Sequence, residues 1–232
     1  MKKKMTTAVQ NPTTTTPLDF RRWSQRRASL ISGIALAGMA VLMPLGYYGG
    51  IVPLITAGDA AKTAATIAAS PLPYWGGVVA VVIVGLLDLI VSAAWYALFR
   101  SVSPTISAIA AWVRVVYTVL FAVAAAQLVN AFLVLDDPAR ALDSLELFNT
   151  MWISSLGIFG IHLLVIGYVI VRATFISPVF GILLMIAGVG YILDAVGRVF
   201  AVGFPVTFGS FAFVGEVAII FWLFIRGRKL AN

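Results

Sequence analysis

Five side chains able to carry charge stand inside long apolar runs of this 232-residue chain: Asp88, Arg114, His162, Asp194 and Glu216. A charged group near the middle of a lipid bilayer costs at least about 2.5–3.5 kcal/mol, so each must face protein or water. Depth decides which of them can meet. Asp88 lies 12 residues before Arg100, and Arg114 lies 10 after Pro104. At about 1.5 Å per helical residue, those distances are roughly 18 and 15 Å from the same end. Matched depth on consecutive antiparallel helices points to an Asp88–Arg114 ion pair. His162, 10 residues before Arg172, reaches the same level at about 15 Å and can join as a third member. Tyr117 and Thr118 extend the Arg114 face, and Ser155 precedes His162 by one heptad, so a polar strip through the bundle is expected.

A second layer holds Asp194 and Glu216, each roughly 10 Å below the opposite surface on neighbouring helices. Arg198 stands one turn from Asp194 and can pair with it. Two acids drawn together can share a proton or hold a cation. Buried ion pairs also fix helix register with no ligand role, and a lone histidine is more often an interhelical hydrogen-bonding residue than a proton carrier; both readings stay open here. The candidate binding cluster is Asp88, Arg114, Tyr117, His162, Tyr191, Asp194, Arg198 and Glu216.

Other chemistries are excluded by residue type. The chain has no cysteine and one histidine, which removes disulfides, thiolate metal sites and cysteine nucleophiles and leaves no basis for a protein-built metal centre. No zincin motif, serine triad or glycine-rich phosphate loop is present, so no catalytic residue is assigned, no cofactor is expected, and the reading leans away from an enzyme.

The elements that must position these groups follow from composition. Hydrophobic residues make up 61% of the chain and charged residues 11%, too little charge to cover a soluble domain. The apolar residues form blocks near Ser29–Tyr48, Gly77–Phe99, Ile106–Leu133, Phe148–Val171, Val179–Phe200 and Gly209–Ile225. Each has the roughly 20 residues needed to cross a bilayer. An all-α, polytopic membrane bundle of about six transmembrane helices is expected, with residues 28–226 as its domain, a tail at 1–27 and another at 227–232. The third span is the longest of these blocks and is expected to tilt or to extend beyond the lipid. Ser103-Pro104 and Ser177-Pro178 read as cap plus first-turn proline, and Asp143 with Glu146 as a capping box before span four. The Thr-rich residues 1–17 read as disordered. Asp19 to Arg27 reads as a short interfacial helix, and the segment from Asp59 as a surface helix. The first span is too long for a cleaved leader.

Charge sets the orientation. Six spans put twelve basic residues on the side of the two tails and three, Lys62, Arg140 and Arg198, on the other. The positive-inside rule therefore places both termini in the cytoplasm. Clustering of the surplus at Lys2–Lys4, Arg21–Arg27 and Arg226–Lys229 suits anionic lipid headgroups, not nucleic acid. Gly33 with Ala37, and Gly181 with Gly188, present small faces for close helix packing. Gln127 and Asn130 suit an interhelical hydrogen bond, and Trp75, Trp152 and Trp222 suit interfacial or lipid-facing positions. A faint repeat runs from Tyr96 through Arg100 and Ser103-Pro104 to Tyr117, and from Tyr168 through Arg172 and Ser177-Pro178 to Tyr191, both tyrosines 13 residues beyond the proline; shared topology explains it as well as a true repeat does.

Around these residues, LLDLIVSAAWYALFRSVS, RVVYTVLFAVA, LFNTMWISSLGIFGIHLLVIGYVIVRATFISP, GVGYILDAVGRV and GEVAIIFWLFIRG resemble a bacterial membrane-protein family, domain of unknown function 4386, across most of residues 23–228. The resemblance implies a bacterial six-helix protein of the plasma membrane and brings no activity with it. From the residues themselves, the expected function is binding or translocating a proton, ion or small solute through the polar cluster. The alternative is an accessory or assembly subunit of a membrane complex, with a homo-oligomer or a membrane-protein partner.

Overall fold

In oil a backbone must satisfy every N–H and C=O within its own segment, and the apolar blocks accordingly become helices. The computed structural model describes residues 23–200 and 208–231, with no strand among them. Helix α1 covers Gln25–Leu42 and continues as a π-helical segment, Met43–Ile51, and a 3₁₀ turn, Val52–Leu54. Then come α2 (Ala60–Ala69), α3 (Pro71–Phe99), α4 (Pro104–Leu133), α5 (Pro138–Arg172), α6 (Pro178–Val199), α7 (Gly209–Ile225) and a 3₁₀ turn, Gly227–Lys229.

Five of these segments, 22 to 35 residues long, are apolar and long enough to cross a membrane. The 17 residues of α7 span about 25 Å, the lower limit for a crossing. Leu72 (83% exposed), Trp112 (71%) and Ile186 (63%) stand on the outside of different helices. Side chains this apolar, displayed around the whole circumference, belong against lipid tails. The chain is a multi-pass membrane protein.

The serine–proline starts occur as expected: Ser103 Oγ accepts from the Ile106 N–H at 3.5 Å, and Ser177 Oγ from that of Val179 at 3.4 Å. Span four differs. It starts at Pro138, ten residues before the expected block, with Asp137 Oδ1 accepting from the Arg140 N–H at 3.3 Å. Asp143 and Glu146 fall inside the helix and cap nothing, because an aspartate followed by a first-turn proline already starts it. At 35 residues α5, not span three, is the longest helix. The expected interfacial helix from Asp19 lies outside the described residues as far as Arg22; beyond that, Ser24 caps α1 by accepting from the Arg27 N–H at 3.2 Å. The helix from Asp59 is present as α2, but it buries Thr63, Ala64 and Ile67 and packs on α5.

Six helices form a closed ring in the order α1, α3, α4, α5, α6, α7, each against the next and α7 against α1. The tightest seam joins α5 to α6. A methyl group placed on Gly160 would lie 2.5 Å from the Gly188 carbonyl oxygen, and one on Gly181 equally close to that of Gly167; both pairs of backbones touch because neither partner has a Cβ. Asn130 Nδ2 donates to Ser144 Oγ at 2.9 Å between α4 and α5, the interhelical bond expected of that face. The Arg26 N–H donates to the Ala231 carbonyl at 3.3 Å, and Gln25 Nε2 to Ser101 Oγ at 3.0 Å. Both ends of the described chain and the α3–α4 turn therefore gather at one end of the bundle, hereafter the terminal end. Helix α2 lies at the other.

Candidate functional site

At the centre of the ring, α3 supplies Asp88, α4 Arg114 and α5 His162, each 1% exposed. Arg114 Nε donates to Asp88 Oδ1 at 2.8 Å, and Nη2 forms an ion pair with the same oxygen. The depth arithmetic thus identified a real pair. The remaining guanidinium nitrogen, Nη1, lies 3.2 Å from His162 Nε2, while His162 Nδ1 lies 2.9 Å from the Ala110 carbonyl oxygen. A carbonyl can only accept, so Nδ1 carries the hydrogen; a guanidinium can only donate, so Nε2 offers its lone pair. His162 is thereby held as a neutral ring in one tautomer, with both nitrogens engaged. This geometry makes it a positioning residue for Arg114.

Two aromatic faces complete the cage. The Arg114 guanidinium carbon lies 5.6 Å from the Trp95 ring centre and 5.2 Å from that of Phe159, within the range of cation–π attraction. The same two rings stack on His162 at 5.8 and 5.7 Å. Thr118 Oγ1 donates to the Arg114 carbonyl at 2.9 Å and Ser155 Oγ to that of Trp152 at 2.7 Å. The expected polar strip is therefore short: these hydroxyls turn back to their own helices, as serine and threonine do where no other acceptor is in reach.

Above the Asp88–Arg114 pair, away from the terminal end, lies a cavity of about 430 Å³. Asp88, Arg114, Tyr117, Tyr191, Asp194 and Glu216 all line it, and so does Asn149. His162 and Arg198 do not. Arg198 is exposed, turned outward by its place on α6. Asp194 Oδ1 accepts from the Phe208 N–H at 2.9 Å, at the start of α7, where a negative charge complements unsatisfied amides. Glu216 Oε1 is buried without a hydrogen-bond partner, and the Tyr191 hydroxyl is the neighbour that engages its carboxyl.

The walls are apolar. Leu36, Met39 and Ala40 from α1, with Met43 from the π-helical segment, line one side, and Trp152, Ile153, Leu156 and Phe159 the facing side from α5. The π-helical segment widens α1 where Pro44 and Tyr48 reach the rim. Toward the terminal end the bundle is closed by aromatic packing, with Phe99 on Phe175 at 5.8 Å and Phe175 on Trp222 at 6.4 Å. Toward the other end, Tyr47 bridges to Phe148 at 5.1 Å and Trp152 at 5.5 Å. Of the interfacial or lipid-facing positions expected for Trp152 and Trp222, the lipid-facing one is corrected: both rings pack on aromatic neighbours within the bundle. Trp75 is partly buried, against Phe132 at 5.0 Å.

Asn149 had not been expected here. Its signal was its place with Trp152, Ile153, Leu156 and Phe159 on one helical face, legible only once that face was known to be internal. The two tyrosines of the faint repeat, Tyr117 and Tyr191, both line this cavity.

Comparison with known proteins places the chain in a family and adds no activity. A protein of Archaeoglobus fulgidus, named only as uncharacterized, is 33% identical over 147 residues, covering 63% of this chain and 81% of its own. That relative is archaeal, where a bacterial protein had been expected. No solved structure matches the chain. Residues 31–227 match one family along nearly the whole bundle, and the chain belongs to it: the family described as domain of unknown function DUF4386.

Proposed function

We propose that this protein binds a small solute in its central cavity and passes it across the cell's plasma membrane, with the terminal end in the cytoplasm. One observation carries the reading: the cavity holds an acid, Glu216, whose buried Oε1 has no partner. A group left in that state is costly, and a purely structural bundle would have no reason to keep it. The pocket's volume lies within the usual range for small-ligand sites, and the mixture of apolar walls with few polar groups is typical of them. The sidedness rests on the basic surplus; Arg26, Arg27, Arg226, Arg228 and Lys229 all stand exposed at the terminal end, where anionic lipid headgroups are their natural partners.

A second reading has support of its own. The Asp88–Arg114–His162 group is linked by mutual hydrogen bonds and nearly inaccessible, as expected where buried charges specify helix packing in an accessory subunit. It accounts for the floor of the cavity but leaves Glu216 unexplained.

Cysteine accessibility tests the proposal, because the native chain has no thiol. Methanethiosulfonates react with thiolates and so report water. Val217→Cys, on the cavity wall, is expected to be labelled, whereas Val123→Cys, 49% exposed on the lipid side of α4, is not. Equal labelling of both, or of neither, contradicts a hydrated binding cavity.

A further inference from the structure

We infer that the solute is an organic monocation, a protonated amine on a small apolar body, with its N–H groups directed at Glu216. This inference rests on the cavity being a binding site and adds the chemistry of its ligand. The argument is a charge ledger for the lining. Arg114 has all three nitrogens engaged, two with Asp88 and one with His162. Its charge is thereby matched by Asp88, and neither has a full charge left for a ligand. Asp194 Oδ1 accepts the Phe208 amide at the start of α7, where the helix's unsatisfied amides offset its charge. Glu216 remains, with a buried acceptor atom that lacks a donor. Leaving such an atom unpaired costs about 1–3 kcal/mol, which a ligand N–H would recover, more strongly if that N–H is cationic.

The other ligand classes fit less well. An anion would meet Glu216 and Asp194 while the lone arginine of the lining is already committed. A bare metal ion needs several oxygens in place of its hydration shell, and no group of three metal-binding side chains occurs among the described residues. The walls, by contrast, suit an apolar body. Leu36, Met39, Leu156 and Ile220 offer hydrocarbon, and Tyr117 and Phe159 line the same space. The cavity also reaches Pro44 and Tyr48, which are exposed on the outside of the bundle. An amphiphile already dissolved in the bilayer has its entrance there.

Three probes of similar size separate head-group charge from shape: 2-phenylethylammonium, 2-phenylethanol and 3-phenylpropionate, titrated calorimetrically into the full-length protein in lipid nanodiscs. The ammonium is expected to bind saturably and about tenfold more tightly than the alcohol, and the carboxylate not at all. Glu216→Gln should abolish the ammonium's advantage while leaving the alcohol unchanged. Should that variant fail to fold, Glu216→Asp keeps the charge but withdraws it, and should weaken the ammonium by about threefold. Alcohol or carboxylate binding as tightly as ammonium, or an ammonium preference that survives Glu216→Gln or is undiminished in Glu216→Asp, overturns the inference and leaves the binding cavity standing. If none of the three probes binds the native protein, the binding reading itself fails and takes this inference with it.

Discussion

Arg114 is the residue on which the interior depends, because a guanidinium cannot give up its charge to suit its surroundings. Every neighbour compensates for it: Asp88 with charge, His162 with a lone pair, Trp95 and Phe159 with ring faces. Removing one partner leaves the other charge stranded. Asp88→Asn and Arg114→Gln are each expected to destabilise the fold by about 3–5 kcal/mol, and the double variant to recover part of the summed loss. Unfolding curves in detergent measure this cycle, and strictly additive losses would show that the pair has no coupling. The pair and its histidine were legible from residue counts alone, since helix rise converts sequence distance into depth. The aromatic cage was not, because Trp95 and Phe159 differ in nothing from lipid-facing rings until their direction is known. Arg198 shows the converse error. It is one turn from Asp194, yet exposed, while Asp194 faces inward.

Helix starts were read well at Ser103-Pro104 and Ser177-Pro178, missed at Ser70-Pro71, where α3 begins six residues before the expected block, and misread where a capping-box pattern lay downstream of a stronger start at Asp137-Pro138. Local signals compete, and the first adequate one begins the helix. Between α5 and α6 the glycines at 160, 167, 181 and 188 set the distance of approach. A methyl on Gly188 would lie 2.6 Å from the Gly160 carbonyl oxygen, so Gly188→Val should cost about 1–3 kcal/mol by forcing the helices apart. Val189→Ala, on the exposed flank of the same helix, should cost little; thermal denaturation of the two variants compares them directly, and an equal loss from both would deny the seam its role. The same spreading would move Tyr191 and Asp194 relative to Phe159, and so disturb the cavity wall.

For the whole molecule, the ring places both described ends together, through Arg26 on Ala231 and Arg100 on the Trp23 carbonyl at 3.4 Å. An even number of crossings requires this, whatever the direction of insertion. Direction is a separate matter that the charge bias predicts. In intact cells Ala61→Cys, exposed on α2, should react with a membrane-impermeant maleimide, whereas Ala231→Cys should react only after permeabilisation. The reverse pattern would invert the topology, and labelling of both in intact cells would break the six-crossing scheme. A closed ring also explains why a cavity survives: α1 and α5 face each other across the centre and meet through Tyr47 and Trp152 at one end, without packing along their length.

The sequence by itself determined the solvent, the helices, the shared side of the two ends and the depth of each buried charge, because hydropathy and helix rise are local properties that add along a chain. Only the tertiary structure decided which face of each helix turned inward. That choice left Glu216 Oε1 without a donor, gave Asp194 the Phe208 amide, enclosed His162 and sent Arg198 outward. Facing is set by how six helices pack at once, through glycine seams and aromatic layers drawn from distant segments, and no single segment carries that information.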